Sequence, residues 1–314
     1  MENKKGLMLV FGTAIISGFS IFVNSYAIQG TNAPAFVFLK NLLVALMLFA
    51  ILAFFGSFKE LKKLTKKQWY KLVAIGFIGG SIPFILFFKG LQMIGKEPAS
   101  VGSFIHKTIF IYAAILAIIF LKEKINKWLI AGALLILSGT YLFATPKFSL
   151  VASQTIIQGM IFVLAATMMW ALENVIAKHV LKELSGTIVA FGRMFIGSIF
   201  ILAYLIATGE LSAIAKFGQQ HYLWIFVTAM FLLLYVLTYY NGLKLVNVTT
   251  ATSVLSIGAP ITSLLALAFK GQQINPYQIY GVMLIFTGVI SIVWMQKIVF
   301  PVHKILKVKA YGRG

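Results

Sequence analysis

The sequence contains no cysteine and no aspartate. Without cysteine there is no disulfide, no thiol nucleophile and no thiolate-bound metal. Only seven acidic residues remain, all glutamates, so carboxylate clusters for calcium, magnesium or hydrolytic chemistry are nearly absent. The four histidines, His106, His179, His221 and His303, lie too far apart to suggest a metal site. No glycine-rich loop ends in Lys-Ser or Lys-Thr, so direct coupling to ATP is not expected. These absences argue against an enzyme and imply no cofactor.

What is abundant is apolar. Of 314 residues, 60% are hydrophobic and 11% are charged, and the mean hydropathy is +0.95. A soluble fold of this size could not bury so much apolar surface. Runs near 20 residues long read as membrane-spanning helices, and they lack the period-two alternation of barrel strands. We expect ten spans, near 6–28, 34–56, 70–92, 98–121, 126–145, 156–178, 187–208, 222–243, 248–269 and 276–298. The segment MENKKG runs straight into the first span without a small-residue cleavage site, and reads as part of a retained span.

The formal charge of +20 at first suggests a nucleic-acid partner. Its distribution points instead to a lipid bilayer and no nucleic acid. With ten spans and the N-terminus inside, 19 of the 27 Lys and Arg fall in cytoplasmic segments, including the run from Lys59 to Lys71 and the tail from Lys297 to Arg313. Four, Lys96, Lys147, Lys216 and Lys270, fall outside. That bias predicts a multi-pass cell-membrane protein with both termini cytoplasmic. Trp69, Trp128, Trp224 and Trp294 sit at span ends, as interfacial anchors do, while Trp170 lies inside a span.

The chain is duplicated. Residues 159–193 overlay 6–40 at an offset of 153, placing Gly159 on Gly6, Val163 on Val10, Phe191 on Phe38 and Arg193 on Lys40. GLKLVNVTTATS (242–253) overlays GLQMIGKEPASV (90–101) at an offset of 152. FKGQQINPYQIYGVMLIFTG (269–288) overlays FLKEKINKWLIAGALLILSG (120–139) at an offset of 149. Each copy holds five spans, an odd number, so the copies must insert in opposite orientations. The expected fold is therefore an all-α integral membrane protein, ten transmembrane helices as two inverted five-helix repeats. Residues 1–145 form the first repeat, 146–158 an external linker, 159–298 the second repeat and 299–314 a basic cytoplasmic tail.

Each copy ends in the pattern Glu/Gln-x-Ile-Asn-x₅-Gly-x₆-Gly, from Glu123 to Gly139 and from Gln272 to Gly288. With GAPITSLLALAF (258–269) before the second, these motifs resemble the EamA type of the drug/metabolite transporter superfamily over nearly the whole chain. The resemblance implies a secondary transporter of small metabolites, usually outward. Two departures stand out: the glutamate expected after the ninth span is Gln272, and the proline expected in the fourth span is Thr108, whereas Pro260 keeps it in the ninth. The stretch WALENVIAKHVLKELSG (170–186) is also similar to the first helix of small multidrug resistance transporters, which carries one functional glutamate.

An ionisable group in hydrocarbon costs roughly 2.5–3.5 kcal/mol at the helix centre, and so usually faces a cavity or a partner. Glu173 is the one acid well inside a span. Arg193 enters the next span at matching depth, so the two read either as a structural ion pair or as a substrate- or proton-responsive pair. Lys107 lies near the membrane midplane with Ser100 and Ser103 on its face, and His106 precedes it. Lys40 is set about six residues in from the outer surface, and Lys89 sits near a span end, where its head can reach the interface. Trp170, one turn before Glu173, and Tyr235, Tyr239 and Tyr240 on the eighth span form a candidate aromatic wall. Asn174 adds a polar group beside Glu173. GFIGGSIPF (76–84) and SIGAP (256–260) predict interruptions of the third and ninth spans, either cavity-lining or simple kinks.

The candidate substrate site is thus Glu173, Arg193, Lys107, His106, Lys40, Trp170, Asn174 and Tyr239. Its cations outnumber its acid, which favours a carboxylate-bearing substrate such as an amino acid, with protons as a possible co-substrate. The alternatives are a proton-coupled carrier of lipophilic or quaternary cations using Glu173, and a lipid or lipid-linked sugar flippase. A monomer and a homodimer fit equally well. The topology is testable because the native chain has no thiol. Cysteines introduced at Ser57 and Gly314 should resist an impermeant thiol reagent in intact cells, while one at Ser149 is labelled; labelling at Ser57 reverses the orientation.

Overall fold

In a bilayer no water reaches the hydrocarbon, so each span must satisfy its own backbone amides and carbonyls, and a helix does so internally. The computed structural model describes residues 2–55, 58–94, 98–124, 127–144, 154–270 and 276–311. The expected linker 146–158 therefore lies largely outside the described residues, as do Gln272, the paired Ile-Asn motifs, and Ser57, Ser149 and Gly314. Among the described residues every regular element is helical. Nine stretches are long and apolar enough to cross a membrane, and Lys127–Leu142 is a shorter tenth.

Seven spans are single helices: α1 (Glu2–Ala27), α2 (Ala33–Phe54), α8 (Lys127–Ala144), α9 (Gln154–Val180), α10 (Gly186–Ala207), α11 (Gln219–Leu245) and α14 (Pro276–Tyr311). A short helix α3 (Phe58–Lys62) follows the second span. The third span is split into α4 (Lys66–Gly80) and α5 (Ile82–Ile94), the fourth into α6 (Pro98–Lys107) and α7 (Ile109–Leu121), and the ninth into α12 (Val248–Leu255) and α13 (Gly258–Lys270). Local sequence starts these helices where polar caps precede the apolar runs. Asn32 accepts from the Ala35 amide at 2.9 Å with Pro34 in the first turn, and Thr65 and Gln68 form a reciprocal capping box.

Each break has a chemical cause. Pro83 lacks the amide that would bond the Gly79 carbonyl, and Ser81 leaves helical geometry at φ −126° and ψ −83°. The freed carbonyls are not orphaned: the Trp170 indole donates to Gly79 O at 2.9 Å and Asn41 Nδ2 donates to Gly80 O at 3.0 Å. The ninth span breaks at Ser256 and Ile257, ahead of Pro260. The fourth span breaks too, although Thr108 replaces the proline there. The Thr108 amide and hydroxyl both return to Ile105 O, at 3.2 and 2.6 Å, tightening one turn. The sequence reading missed this break because Thr is unremarkable inside an apolar run.

The two copies pack as an inverted pair. The main partner of α1 is α11, and that of α9 is α5; α2 packs on α10, and α8 on α14. Gln92, at the end of α5, donates to the Ile28 and Thr31 carbonyls just beyond α1, so α1 and α5 end together. Lys71, at the start of the third span, pairs with Glu183 just past α9 at 2.6 Å. Hence α9 runs opposite to α1. The duplicated glycines mark the axis. A Cβ at Gly6 would fall 3.4 Å from Gly242 O, and one at Gly159 would fall 2.8 Å from Gly90 O. A Cβ at Gly139 would fall 2.5 Å from Gly281 O, and one at Gly288 would fall 2.5 Å from Gly132 O. Small residues replace hydrophobic drive as the means of close helix contact inside lipid.

These contacts leave no room for a side chain, since backbone lies on the far side. Gly139→Leu should lower the melting temperature of the detergent-solubilised protein, with a cost of roughly 1–3 kcal/mol for overpacking. Gly12→Leu, where a Cβ meets nothing within 4 Å, should leave it unchanged.

Candidate functional site

A cavity of roughly 710 Å³ of atom-free space, counted out to its mouth, lies between α1, α2, α5, α6, α7, α9, α10 and α11. Its polar side comes from α1, where Ser17, Ser20 and Asn24 recur at i, i+3 and i+7 and so share one face. Its aromatic side is a contiguous cluster. The Trp170 ring centroid stands 5.0 Å from His106, 5.3 Å from Phe84 and 5.3 Å from Phe87. The bond from Trp170 to Gly79 O fixes this indole against the broken third span.

Glu173 and Arg193 both line the cavity. Glu173 lies seven residues before the end of α9 and Arg193 seven after the start of α10, each about 10 Å in at 1.5 Å per residue. Both crowd the space beside Gly79: a Cβ there would meet Glu173 Cδ at 2.9 Å and Arg193 Nε at 3.2 Å. They are close but are not an ion pair. Among the described residues the ion pairs are Lys71–Glu183 and Lys89–Glu210. The Glu173 carboxylate instead accepts from the Tyr240 hydroxyl at 2.6 Å. Arg193 lies by the Phe84 and Tyr240 rings, its Cζ at 5.6 and 5.8 Å from their centroids, and its buried Nε has no hydrogen-bond partner. The two charged side chains thus lie near one another at the cavity without a direct ion pair between them.

The other expected residues divide. Lys40, His106, Trp170 and Asn174 line the cavity, and His106 Nδ1 is buried without a partner. Lys107 is set one shell back. Its ammonium donates to Ser17 Oγ at 2.8 Å and crowds Gly258 at the break of the ninth span. Tyr239 also stands behind the wall, stacked on the lining residue Tyr235 at 5.5 Å, with its hydroxyl unpartnered. Lys89 reaches the Tyr204 hydroxyl at 2.7 Å near the span end. The sequence reading did not single out Ser17, Ser20, Phe84, Phe87 or Phe88. The α1 stripe had a readable period; the phenylalanines, within an unbroken apolar run, had none.

At the end of the bundle that holds the N-terminus, side chains tie helix ends together, both across the two copies and within the second. Glu123 accepts from the Val248 and Thr249 amides at 2.8 and 3.2 Å and from the Thr249 hydroxyl at 2.6 Å, capping α12 from the other repeat. Lys178 donates to the carbonyls of Leu243, Lys244 and Val246 at 2.8, 3.1 and 2.8 Å. The glutamate singled out by its motif is therefore a cap between repeats and not part of the cavity.

Comparison with known proteins agrees with this architecture. The profile of the EamA-like transporter family matches residues 4–145 and again 157–294. The riboflavin transporter ImpX of Fusobacterium nucleatum is 26% identical, over 93% of this chain and 99% of its own length. An uncharacterized inner membrane transporter of Escherichia coli, YhbE, is 27% identical over 68% of this chain and 63% of its own. An uncharacterized transporter of Clostridium kluyveri is 25% identical over 91% and 92%. One solved protein structure superposes with a TM-score of 0.71 over 92% of this chain and 96% of that chain; at 14% identity it shows the fold alone. Two family repeats, an all-helical bundle of apolar spans and a central cavity make this chain a multi-pass membrane protein of the EamA-like transporter family, a transporter of small molecules and not an enzyme.

Proposed function

We propose that the chain exports zwitterionic metabolites, amino acids with aromatic side chains above all, by alternating access in exchange for protons, with both termini in the cytoplasm. The observation behind this reading is that Glu173 and Arg193 face the same cavity, adjacent and unpaired. Opposite charges set side by side match the amine and carboxylate of an amino acid. Arg193 takes the carboxylate, with Lys40 adding positive potential, and Glu173 takes the amine. The ring of the substrate packs against Trp170, His106 and Phe87.

Coupling follows from one group serving two ligands. A proton occupies Glu173 on the return step, and the amine of the substrate displaces it. Proton and substrate then occupy the carboxylate in turn, which is the requirement for antiport. No ATP site is needed. In this reading the repeats 1–145 and 159–298 are the moving units, joined by the outer linker.

A second reading rests on the breadth of the aromatic wall and on the relative named for riboflavin. A flat heteroaromatic ring would stack on Trp170 and Phe84 while its polar edge meets Ser17, Ser20 and Asn24. Thermal shift separates the two, because a ligand that binds the folded state raises its melting temperature, by about 2.7 kcal/mol of stability at a concentration 100 times its Kd. Phenylalanine, tyrosine or tryptophan should raise it and riboflavin should not; the reverse pattern establishes the second reading.

In proteoliposomes, uptake of the amino acid should respond to an imposed pH gradient. Glu173→Gln should bind the amino acid about tenfold more weakly, near 1.4 kcal/mol, and lose the response to the gradient while still exchanging substrate. A Glu173→Gln protein that follows the pH gradient like its parent rules out the coupling.

A further inference from the structure

Lys40 is the most unusual cation of the cavity. It is 1% exposed and, among the described residues, has no carboxylate partner. Its ammonium sits over three phenyl rings, 4.0 Å from the Phe88 centroid, 5.4 Å from Phe84 and 5.7 Å from Phe36, and donates to Asn24 Oδ1 at 3.3 Å. Phe36 lies one turn from Lys40 on α2, and Phe84 and Phe88 lie one turn apart on α5. Two helices therefore build one cage, and Phe36 and Phe88 are themselves packed at 6.2 Å.

Three aromatic faces around a cation form the site chemistry that binds a quaternary or methylated ammonium ligand. Here the chain supplies the ammonium itself. The four-carbon stem delivers it from α2, so the cage is filled by a tethered cation. The cage opens on the cavity, since Lys40, Phe84 and Phe88 all line it, and Glu173 is elsewhere on the same wall.

We propose that Lys40 is a specificity-determining residue that excludes organic cations. Its ammonium occupies an aromatic cation subsite made by Phe36, Phe84 and Phe88, so the carrier rejects quaternary amines that the same cavity would otherwise accept. The exclusion is double: the cage has no room, and the fixed charge repels a second cation in a space of low dielectric. The inference rests on the cavity being the transport site and is independent of which zwitterion or ring compound it carries.

The absence of native cysteine permits a reversible test in one protein. Purified wild type should show no melting-temperature shift with tetramethylammonium or choline. Lys40→Cys should bind tetramethylammonium at least tenfold more tightly than wild type. Treatment with 2-aminoethyl methanethiosulfonate, which adds an ammonium to the thiol, should abolish that binding. The neutral methyl reagent should leave more binding than the aminoethyl reagent does. Lys40→Ala serves the same comparison should the cysteine variant not be recovered folded. A folded variant with no gain in tetramethylammonium binding overturns the proposal, as does a wild type that binds it equally well. Aromatic amino acids are measured in parallel on wild type. Their failure to bind counts against the zwitterion reading and leaves the cage inference standing.

Discussion

The constraint on which this structure depends is that a backbone carbonyl freed inside a bilayer must find a donor. At the third span Pro83 leaves Gly79 O without its helical amide, and the side chains of Trp170 and Asn41 come from two other helices to fill the gap at Gly79 and Gly80. An unsatisfied carbonyl there would cost a few kcal/mol. These bonds therefore do more than repair the helix. They hold the indole at the centre of the aromatic cluster and tie α2 and α9 to the break. The absence of a side chain at Gly79 leaves the space that Glu173 and Arg193 both occupy.

Inversion accounts for the scaffold but not for the site. The duplicated glycines pair in matching ways, Gly6 with Gly242 and Gly159 with Gly90, and Gly132 and Gly139 with Gly288 and Gly281. The fourth and ninth spans both break near their middle. The third span breaks while its counterpart, α11, is a continuous helix of 27 residues. The strongest charges also differ between copies: Glu173 has no acidic counterpart, and Arg193 answers to Lys40. A symmetric frame with asymmetric chemistry suits a carrier, since the frame can rock between two equivalent arrangements while the ligand meets one set of groups.

The buried charges follow a common pattern. Each is steadied by a ring or hydroxyl and not by an ionic partner: Lys40 by phenylalanines, Lys107 by Ser17, Glu173 by Tyr240, Arg193 by Phe84 and Tyr240. In an interior of low dielectric a tight ion pair would have to be broken before either member could serve a ligand, at a cost of several kcal/mol. Aromatic faces and single hydroxyl bonds each hold the charges with less energy than that, about 2 kcal/mol for a desolvated cation over a ring. Such charges can be given up to a substrate and regained after its release.

Hydropathy, loop charge and the offset of 153 were enough to determine from the sequence an all-helical bundle of ten spans in two inverted copies. The reason is that lipid imposes one backbone solution and makes span length and polarity directly readable. The ionisable residues Glu173, Arg193, Lys40 and His106 stood out for the same reason, being costly where they lie. The tertiary structure alone decided which of them meet. It set Glu173 and Arg193 close together without a direct ion pair, placed Lys107 and Tyr239 behind the wall, broke the fourth span without proline, and brought Phe84, Phe87 and Phe88 to the cavity lining. Those outcomes depend on side-chain direction and crossing helices. In a chain where six residues in ten are hydrophobic, a functional phenylalanine has no local pattern to distinguish it from one that faces lipid.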